Sequence, residues 1–173
     1  MTRMLRLCTL IGAAPDLDLS VDLTPVDFVA SAIAALAMAD DASGDTVHWV
    51  APKRTHLRVL TAWLNDYGIP CEVVPTQEWT TRIGGFAFRS PDDPASGLAP
   101  LLLRQTRPGG PSFLDLAAAR PEFDTSNASH RLSLLDIRCR QVERETFLAY
   151  LRHLAFNRFL PVPAYVDRGS PVH

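Results

Sequence analysis

The fold is decided by one stretch, Val21-Asp22-Leu23-Thr24-Pro25-Val26-Asp27-Phe28-Val29, which has the pattern of a strand-to-helix junction. Apolar and polar residues alternate over residues 18–23, and this alternation predicts a strand with one face in water. Thr24 then fits the N-cap position and Pro25 the first helical position, where a missing N–H costs nothing. Asp27 falls in the first turn, where its charge favours the positive end of the helix dipole.

The helix after this junction should bury one of its faces. Apolar residues recur there at helical spacing, at Val26, Val29, Ile33 and Leu36. The pattern ends near Met38, and a polar turn follows over residues 40–45. We therefore expect this helix to pack one face onto a sheet.

Two further strand-helix pairs follow along the chain. Residues 46–51, Thr-Val-His-Trp-Val-Ala, form a nearly continuous apolar run, which is typical of a strand covered on both faces. Thr55 can cap a helix that ends at Gly68, and residues 71–75 predict a third strand, followed by a short helix to about Arg82. Alternating strands and helices predict parallel pairing with right-handed crossovers.

The rest of the chain has a different pattern. Gly84-Gly85 and residues 90–97 are typical of turns, whereas residues 98–105 and 142–156 predict helices. Another predicted helix runs from Ser126 or Asn127 to Leu134 or Leu135, and an amphipathic N-terminal helix ends at Gly12. The predicted fold class is α/β, with a small, partly parallel sheet and flanking helices, followed by a helical, lid-like C-terminal region.

These elements predict a single domain over residues 1–173. Its α/β part covers about residues 1–85, its helical part about residues 98–163, and residues 164–173 form a loose tail. A length of 173 residues with 47% hydrophobic composition is enough for one buried core.

Charge and cysteine content exclude several classes of protein. The net charge of −2 and a pI near 6.2 give no electrostatic reason to expect nucleic acid or an anionic membrane as a partner. The three cysteines are far apart and lack C-x-x-C spacing, so they predict neither a disulfide framework nor a zinc site. A reducing cytoplasm is the compartment that fits best.

Familiar catalytic motifs are absent from the sequence. The nine glycines nowhere give the spacing of a dinucleotide-binding loop. None of Tyr67, Tyr150 and Tyr165 has a lysine four residues on, because Lys53 is the only lysine. The chain also lacks a G-x-S-x-G elbow, a P-loop and an H-E-x-x-H motif. We therefore expect no catalytic, cofactor-binding or metal-binding residue in this chain.

Single reactive residues have structural interpretations that compete with functional ones. His48 is expected to be a core or sheet-edge residue, and Cys71 a small apolar residue at a strand start rather than a nucleophile. Asp22 and Asp27 flank the opening junction and either favour the helix start or contact a substrate. The tryptophans are core aromatics or line a cleft for an acyl chain, and they are Trp49, Trp63 and Trp79.

Several motifs in the first half of the chain match one family. Leu23-Thr24-Pro25-Val26-Asp27-Phe28-Val29-Ala30 resembles the L-T-P-V-D-F/Y-V-A/S segment of terminal thioester reductase domains. These domains occur in nonribosomal peptide and polyketide synthases and, in matching form, in carboxylic acid reductases. Residues 47–51 resemble the family's y-H-l-v-n strand, and the order of Trp63-Leu64, Tyr67-Gly68 and Glu78-Trp79 is similar too.

The C-terminal half resembles the same family. Phe123-Asp124-Thr125-Ser126-Asn127 is similar to an F-D-x-x-N motif, and Phe159-Leu160-Pro161 is similar to the end of a G-F-L-P motif. Arg158 stands where that last motif has its glycine. The resemblance therefore extends to about Pro163.

This resemblance implies a division of labour. In the family, which is related to extended short-chain dehydrogenases, an N-terminal Rossmann half binds NADPH and carries the catalytic Thr, Tyr and Lys. The C-terminal part shapes the acyl pocket and receives a carrier protein, whose phosphopantetheine arm delivers the thioester for reduction to an aldehyde or alcohol. This chain matches only the C-terminal part, and Met1 falls within a family helix. We therefore expect a fragment, an excised subdomain or a gene product that has lost its other half.

The resemblance also implies a site and a set of partners. Substrate-binding residues are expected at the turn, and they are Leu23, Thr24, Pro25, Val26 and Asp27. No cofactor is expected on this chain alone, and NADPH is implied for the complete reductase. The expected partners are an acyl or peptidyl carrier protein with its phosphopantetheine arm and the missing Rossmann half, with no nucleic acid and no membrane.

Two other hypotheses remain open from sequence. One is a stand-alone, non-redox protein on the same scaffold, acting as a carrier-protein docking module or as an acyl-thioester cyclase or lyase. The other is a structural or interaction domain without a pocket. Turnover of a carrier-bound acyl substrate without any nicotinamide would favour the stand-alone protein over the reductase part.

Overall fold

A computed structural model of the protein describes residues 1–39, 46–51, 53–105, 107, 109–118 and 124–163. The chain divides into two compact units, each built from separated stretches of sequence. Unit 1 contains Met1–Leu19, His56–Arg120 and Arg144–His173, and unit 2 contains Ser20–Thr55 and Pro121–Glu143. The predicted polar turn at 40–45 and the predicted tail at 164–173 lie outside the described residues, and the prediction of a single domain stays a prediction.

Helices predominate over short strands. In the described part of the chain the strands are β1 (Ala13–Asp16), β2 (Ser20–Val21), β3 (Thr55–His56) and β4 (Glu72–Pro75). The helices are α1 (Thr2–Ile11), α2 (Val26–Ala37), α3 (Leu57–Asp66), α4 (Thr76–Arg89), α5 (Ala99–Leu103), α6 (Phe113–Ala118), α7 (Ser126–Leu134) and α8 (Arg144–Phe156). This mixture of helices with a small parallel sheet confirms the predicted fold class.

The first helix of unit 1 ends as predicted. Gly12 has a left-handed backbone with φ of 67°, and its N–H donates to the carbonyl oxygen of Cys8. Glycine is the residue that adopts this cap without a steric penalty. α1 buries Leu5, Leu7 and Cys8, which anchors it in the core of unit 1.

The parallel sheet of unit 1 pairs β1 with β4. Ala13 lies opposite Glu72, and Asp16 lies opposite Pro75. The fully buried Trp79 fixes this pair to α4, because its indole N–H donates to the carbonyl oxygen of Ala13 over 3.0 Å. Of these two strands, the sequence predicted β4 but not β1. The four residues of β1 show neither alternation nor a run of β-branched residues.

Two local predictions for unit 1 are wrong at helix ends. α3 is capped by His56 rather than by Thr55, which lies buried in β3. The ring of His56 accepts from the N–H of Arg58 over 3.3 Å. α4 continues through Gly84-Gly85 to Arg89, although the sequence predicts a turn there.

The helices from α5 to α8 agree better with the predictions. A single turn of 3₁₀ helix at Ser96–Leu98 leads into α5, and α6 was not predicted. α8 begins two residues later than expected and buries Phe147, Leu151 and Ala155. The ring of Phe147 contacts Trp63, with centroids 5.4 Å apart, so α8 packs on α3.

Unit 2 is held by a small apolar cluster between α2 and α7. Ala32, Leu36 and Leu132 are buried at its centre, and half-buried apolar side chains surround them, namely Phe28, Val47, Trp49 and Ile137. The predicted inner face of α2 is therefore partly wrong. Val26 is 81% exposed and Ile33 is 53% exposed, because the helix turns Ala32 and Leu36 toward Leu132.

The predicted strand at residues 46–51 is also wrong for the described structure. These residues belong to no strand in the described part of the chain, yet Val47 and Trp49 still pack on the α2 cluster. Only β2 remains of the strand expected over residues 18–23. In place of a sheet, helix α7 packs on the face of α2 that carries Ala32 and Leu36.

Candidate functional site

The turn before α2 is organised by Asp22. Its Oδ1 accepts a hydrogen bond from the Thr24 hydroxyl over 2.7 Å and another from the N–H of Ala51 over 3.1 Å. The first bond closes the turn on itself, and the second ties it to the segment at 46–51. Because the Thr24 hydroxyl is engaged by Asp22, it does not cap α2, and the predicted N-cap is wrong.

Pro25 occupies the N-cap position of α2 instead. Its backbone is extended, with ψ of 135°, and no side chain caps the helix. Asp27 lies in the first turn of α2, as predicted, where its carboxylate favours the positive end of the helix. Among the predicted site residues, Leu23, Thr24 and Pro25 are half-buried, whereas Val26 and Asp27 are exposed.

An aromatic pair follows directly after the turn. The rings of Phe28 and Trp49 meet edge to face, with centroids 6.3 Å apart and planes at 81°. This geometry places the positive edge of one ring against the negative face of the other. The pair forms a rigid apolar wall between α2 and the segment at 46–51.

A cavity of about 200 Å³ opens beside this wall, entirely within unit 2. Apolar groups supply part of its lining, and hydroxyl groups, a thiol and the imidazole of His48 also contribute. The lining side chains include those of Phe28, Trp49, Thr125, Ser129, Leu132 and Cys139. The five predicted site residues do not line this cavity, but Phe28, the next residue along the chain, does.

Cys139 connects the cavity to the turn. Burial raises the pKa of its thiol, and the negative charges of Asp22 and Asp27 raise it further. The thiolate form is therefore disfavoured, and Cys139 stays a neutral thiol rather than an activated nucleophile. Sequence reasoning missed this residue, because nothing local relates it to a turn more than a hundred residues earlier.

Other candidate chemistry is absent where the sequence placed it. Cys71 is buried, and burial raises the pKa of its thiol to about 11, so it remains the inert core residue that was expected. Among the described residues, no group of three or more histidine, cysteine or carboxylate side chains could hold a metal ion. In that part of the chain, no helix combines the length and apolar character needed to cross a bilayer.

The described glycines do not fit a nicotinamide dinucleotide. Such a site needs a glycine-rich turn where a strand meets a helix, so that the backbone can approach the pyrophosphate. Here Gly84 and Gly85 lie inside α4, and Gly12 and Gly68 have positive φ angles next to helix ends. In the described part of the chain, no glycine-rich turn joins a strand to a following helix.

Comparison with known proteins identifies relatives in a reductase and in two synthases, whereas no family model matches the chain. The L-2-aminoadipate reductase large subunit of Eremothecium gossypii is 31% identical over 98% of this chain. A linear gramicidin synthase of Brevibacillus parabrevis is 27% identical over 84%, and the isonitrile lipopeptide synthase of Streptomyces coeruleorubidus is 28% identical over 88%. The chain spans only 12%, 3% and 10% of these relatives, respectively.

Solved structures with the same fold come from the same kind of enzyme. The terminal R domain from the myxalamid PKS-NRPS biosynthetic pathway superposes with a TM-score of 0.75 at 28% identity. That match covers 93% of this chain and 39% of the R domain. A thiolation-reductase di-domain from an archaeal non-ribosomal peptide synthetase has a TM-score of 0.64 at 17% identity, covering 91% of this chain and 30% of the di-domain, and it supports the fold alone.

The relatives found by sequence and by structure thus come from the family that the motifs around the opening turn resemble. The three curated relatives and the myxalamid structure were found by independent comparisons of sequence and of structure. The prediction made from those motifs is confirmed. The chain is a relative of the terminal thioester reductase domains of nonribosomal peptide and polyketide synthases, and it matches 39% of one such domain of known structure.

Proposed function

We propose that this chain is the acyl- and carrier-protein-binding part of an NADPH-dependent thioester reductase. The complete enzyme would release a carrier-bound acyl or peptidyl thioester as an aldehyde or alcohol. The relatives support the reductase class, and the solved di-domain joins a thiolation domain to a reductase. We assign NADPH to the region of the relatives that this chain does not cover, because the described glycines here do not fit it.

The cavity beside the opening turn carries this proposal. Its Phe28 and Trp49 wall offers an apolar surface for acyl carbons. The hydroxyls of Thr125 and Ser129 can donate to amide or thioester oxygens from the opposite side. Because Cys139 is a neutral thiol, it would not compete as a nucleophile for the thioester.

The volume of the cavity limits what it can hold. Pockets for whole drug-sized ligands are commonly about 300–1,000 Å³. At about 200 Å³, this cavity suits the thioester end of a pantetheine arm with a few acyl carbons. The remaining arm would run along the turn at Leu23, Thr24, Pro25, Val26 and Asp27, which we propose as the substrate-binding entrance.

A small-molecule titration tests the cavity directly. Hexanoyl-phosphopantetheine added to the 173-residue chain without NADPH should shift the Trp49 indole resonance and slow alkylation of Cys139 by iodoacetamide. Ser129→Ala should weaken binding by roughly three- to tenfold, since one hydrogen bond contributes about 0.5–1.5 kcal/mol. Ser133→Ala is the matched control, because Ser133 lies one turn further along α7 and its hydroxyl donates to the His130 carbonyl oxygen.

Two results would refute the proposal. The cavity would not be the site if Ser129→Ala and Ser133→Ala weakened binding equally, or if neither Trp49 nor Cys139 responded. Turnover of the acyl thioester by the chain without nicotinamide would instead support the stand-alone cyclase or lyase.

A further inference from the structure

Three helices in the described part of the chain end in the same hydrogen-bonded cap. In α3, the N–H of Gly68 donates to the carbonyl oxygen three residues earlier, and the N–H of the next residue donates to the one five residues earlier. Bonds with the same offsets end α7 and α8. This cap requires a left-handed backbone at its central residue, which is Gly68 in α3, Asp136 in α7 and Arg158 in α8.

Arg158 is the least suited of these three residues to its backbone. Glycine adopts a positive φ without a steric penalty, and aspartate adopts it more readily than most side chains do. Arginine has neither advantage, yet Arg158 has φ of 57°. The motif that this segment resembles has glycine at the position of Arg158. The chain therefore loses conformational stability by placing a long cationic side chain at the end of α8.

The side chain of Arg158 makes no contact that would offset this strain in the described part of the chain. It is exposed, and its guanidinium forms no hydrogen bond or ion pair with the described residues. The negative end of α8 does not explain it either, because a cation within the last turn has the same interaction with ordinary helical backbone. Strained residues cluster where function uses them, so Arg158 is positioned for a partner.

The backbone that presents Arg158 is held firmly on both sides. Arg6 donates to the carbonyl oxygen of Phe159, and its guanidinium carbon lies 5.3 Å from the centroid of the Phe159 ring. On the other side, the side-chain amide of Asn157 donates to the carbonyl oxygen of His153 over 2.9 Å. Only the Arg158 side chain would therefore lose freedom on binding, which lowers the entropic cost of an interface.

The surface around Arg158 is cationic and aromatic. Residues 146–163 contain no carboxylate side chain, whereas Arg152, His153 and Arg158 all belong to this stretch. Arg152 and Phe156 are exposed and lie four residues apart, on one face of α8, and Phe156 is 86% exposed. Arginine and aromatic side chains carry much of the binding energy in protein interfaces. A complementary partner would present carboxylates around an apolar centre.

The proposed function supplies such a partner. A carrier protein has to dock each time its arm delivers a thioester and then has to leave again. Charge complementarity suits an encounter of this kind, because it raises the association rate more than it raises the affinity. The net charge of −2 argues against the other large anionic partners, nucleic acid and an acidic membrane.

We infer that Arg158, together with Arg152 and Phe156, forms a docking surface for an acidic face of the carrier protein. This inference rests on the proposed function, which supplies the carrier protein. It does not depend on the acyl cavity, because Arg158 belongs to unit 1 and the cavity lies within unit 2. Separate variants can therefore test the docking surface and the cavity.

The test is a titration of the full 173-residue chain with an acyl carrier protein that lacks its arm, so that the cavity does not contribute. The carrier used as the probe has carboxylates beside the serine that accepts the arm. Arg158→Gly should weaken binding at least about tenfold at low salt, and the difference should shrink at about 1 M salt. The same substitution should lower the equilibrium constant of unfolding about fivefold, because glycine relieves the left-handed backbone.

Two variants serve as matched controls. Asp136→Gly relieves the same left-handed backbone at the end of α7 in unit 2, so it should leave carrier binding unchanged. Arg104→Gly removes an exposed positive charge that follows α5 in unit 1, and it should weaken binding less than about twofold. Because Arg158→Gly should be more stable than the unchanged chain, its weaker binding would not result from misfolding.

The inference is overturned if Arg158→Gly binds the carrier as tightly as the unchanged chain, or if Arg104→Gly weakens binding equally. It is also overturned if Arg158→Gly is no more stable, because the strain at this residue would then be absent. Failure of the unchanged chain to bind any carrier would refute the proposed function as well. Carrier binding that depends on Arg158, without a response of Trp49 or Cys139 to hexanoyl-phosphopantetheine, would support the docking surface and refute only the acyl cavity.

Discussion

At the scale of single residues, Asp22 has two roles that the sequence does not separate. It accepts hydrogen bonds from Thr24 and from the backbone of Ala51, and its charge also disfavours the thiolate of Cys139. A structural role for Asp22 in the turn therefore does not exclude an effect on the cavity. The same carboxylate shapes the turn and adds negative charge beside Cys139 of the adjoining cavity.

The pH dependence of Cys139 alkylation tests these electrostatics. Because burial and two nearby carboxylates raise the thiol pKa, we expect alkylation by iodoacetamide to be slow at neutral pH and to accelerate at a higher pH than for an exposed cysteine. Asp27→Asn should move the rate profile to lower pH by removing one negative charge. Asp18→Asn in unit 1 is the control, and equal shifts in the two variants would contradict this interpretation.

At the scale of elements, the sequence predicted a helix correctly where a glycine ends it or where apolar residues recur regularly along it. The end of α1 could be predicted because Gly12 adopts a positive φ, and α8 because its apolar residues recur regularly over three turns. The prediction of a turn at Gly84-Gly85 was wrong, because tertiary packing rather than local backbone preference decides the conformation there. The buried side chains of Trp79 and Ile83 anchor α4 directly before both glycines, and this packing is invisible in the local sequence.

Glycine substitutions test that explanation. A Cβ at Gly84 would meet only Leu103 Cδ1 at 3.9 Å, an ordinary contact, so Gly84→Ala should raise the free energy of unfolding by about 0.5–1 kcal/mol. Gly12→Ala should lower it by about 1–2 kcal/mol, because φ of 67° is strained for alanine even where space is open. Urea denaturation measures the free energy of unfolding of both variants. A lower value for Gly84→Ala than for the unchanged chain would contradict a regular helix at this position.

The cavity beside the opening turn could not be predicted. Its lining comes from residues 28 and 48–50 on one side and from residues 125–139 on the other, so only tertiary packing brings it together. The opening motif adjoins the cavity, since Phe28 lines it and follows the predicted turn directly. It could not indicate Thr125, Ser129 or Cys139, because no pattern of spacing connects them to α2.

At the scale of the whole molecule, Arg6 joins distant parts of unit 1. Its guanidinium binds the Asp93 carboxylate through two nitrogens, at 3.0 and 2.6 Å, and donates to the Phe159 carbonyl oxygen. It also lies 5.3 Å from the centroid of the Phe159 ring. Both charged side chains are largely buried, so the pair should contribute more than an exposed ion pair.

This pair predicts a specific pH dependence of stability. The hydrogen bonds from Arg6 hold the pKa of Asp93 below its usual range. The contribution of Asp93 is therefore complete above about pH 4 and is lost as pH falls through the lowered, folded-state pKa. Asp93→Asn should lower the free energy of unfolding at pH 7 by about 2 kcal/mol and reduce its decline below about pH 4.

Thermal unfolding across the acid range measures this effect. Asp92→Asn is the matched control, because Asp92 is the exposed neighbour of Asp93. If the two variants showed the same acid dependence, the Arg6 pair would not be its source.

The most direct measurement of the proposed function is a calorimetric titration of the 173-residue chain, without NADPH, with an acyl carrier protein that carries a hexanoyl-phosphopantetheine arm. We expect the acylated carrier to bind at least about tenfold more tightly than the same carrier without its arm, a gain of about 1.4 kcal/mol. We also expect Ser129→Ala to remove part of this gain, whereas Ser133→Ala should not. Equal binding of both carriers, or binding of neither, would contradict the assignment of this chain as the acyl- and carrier-binding part of a thioester reductase.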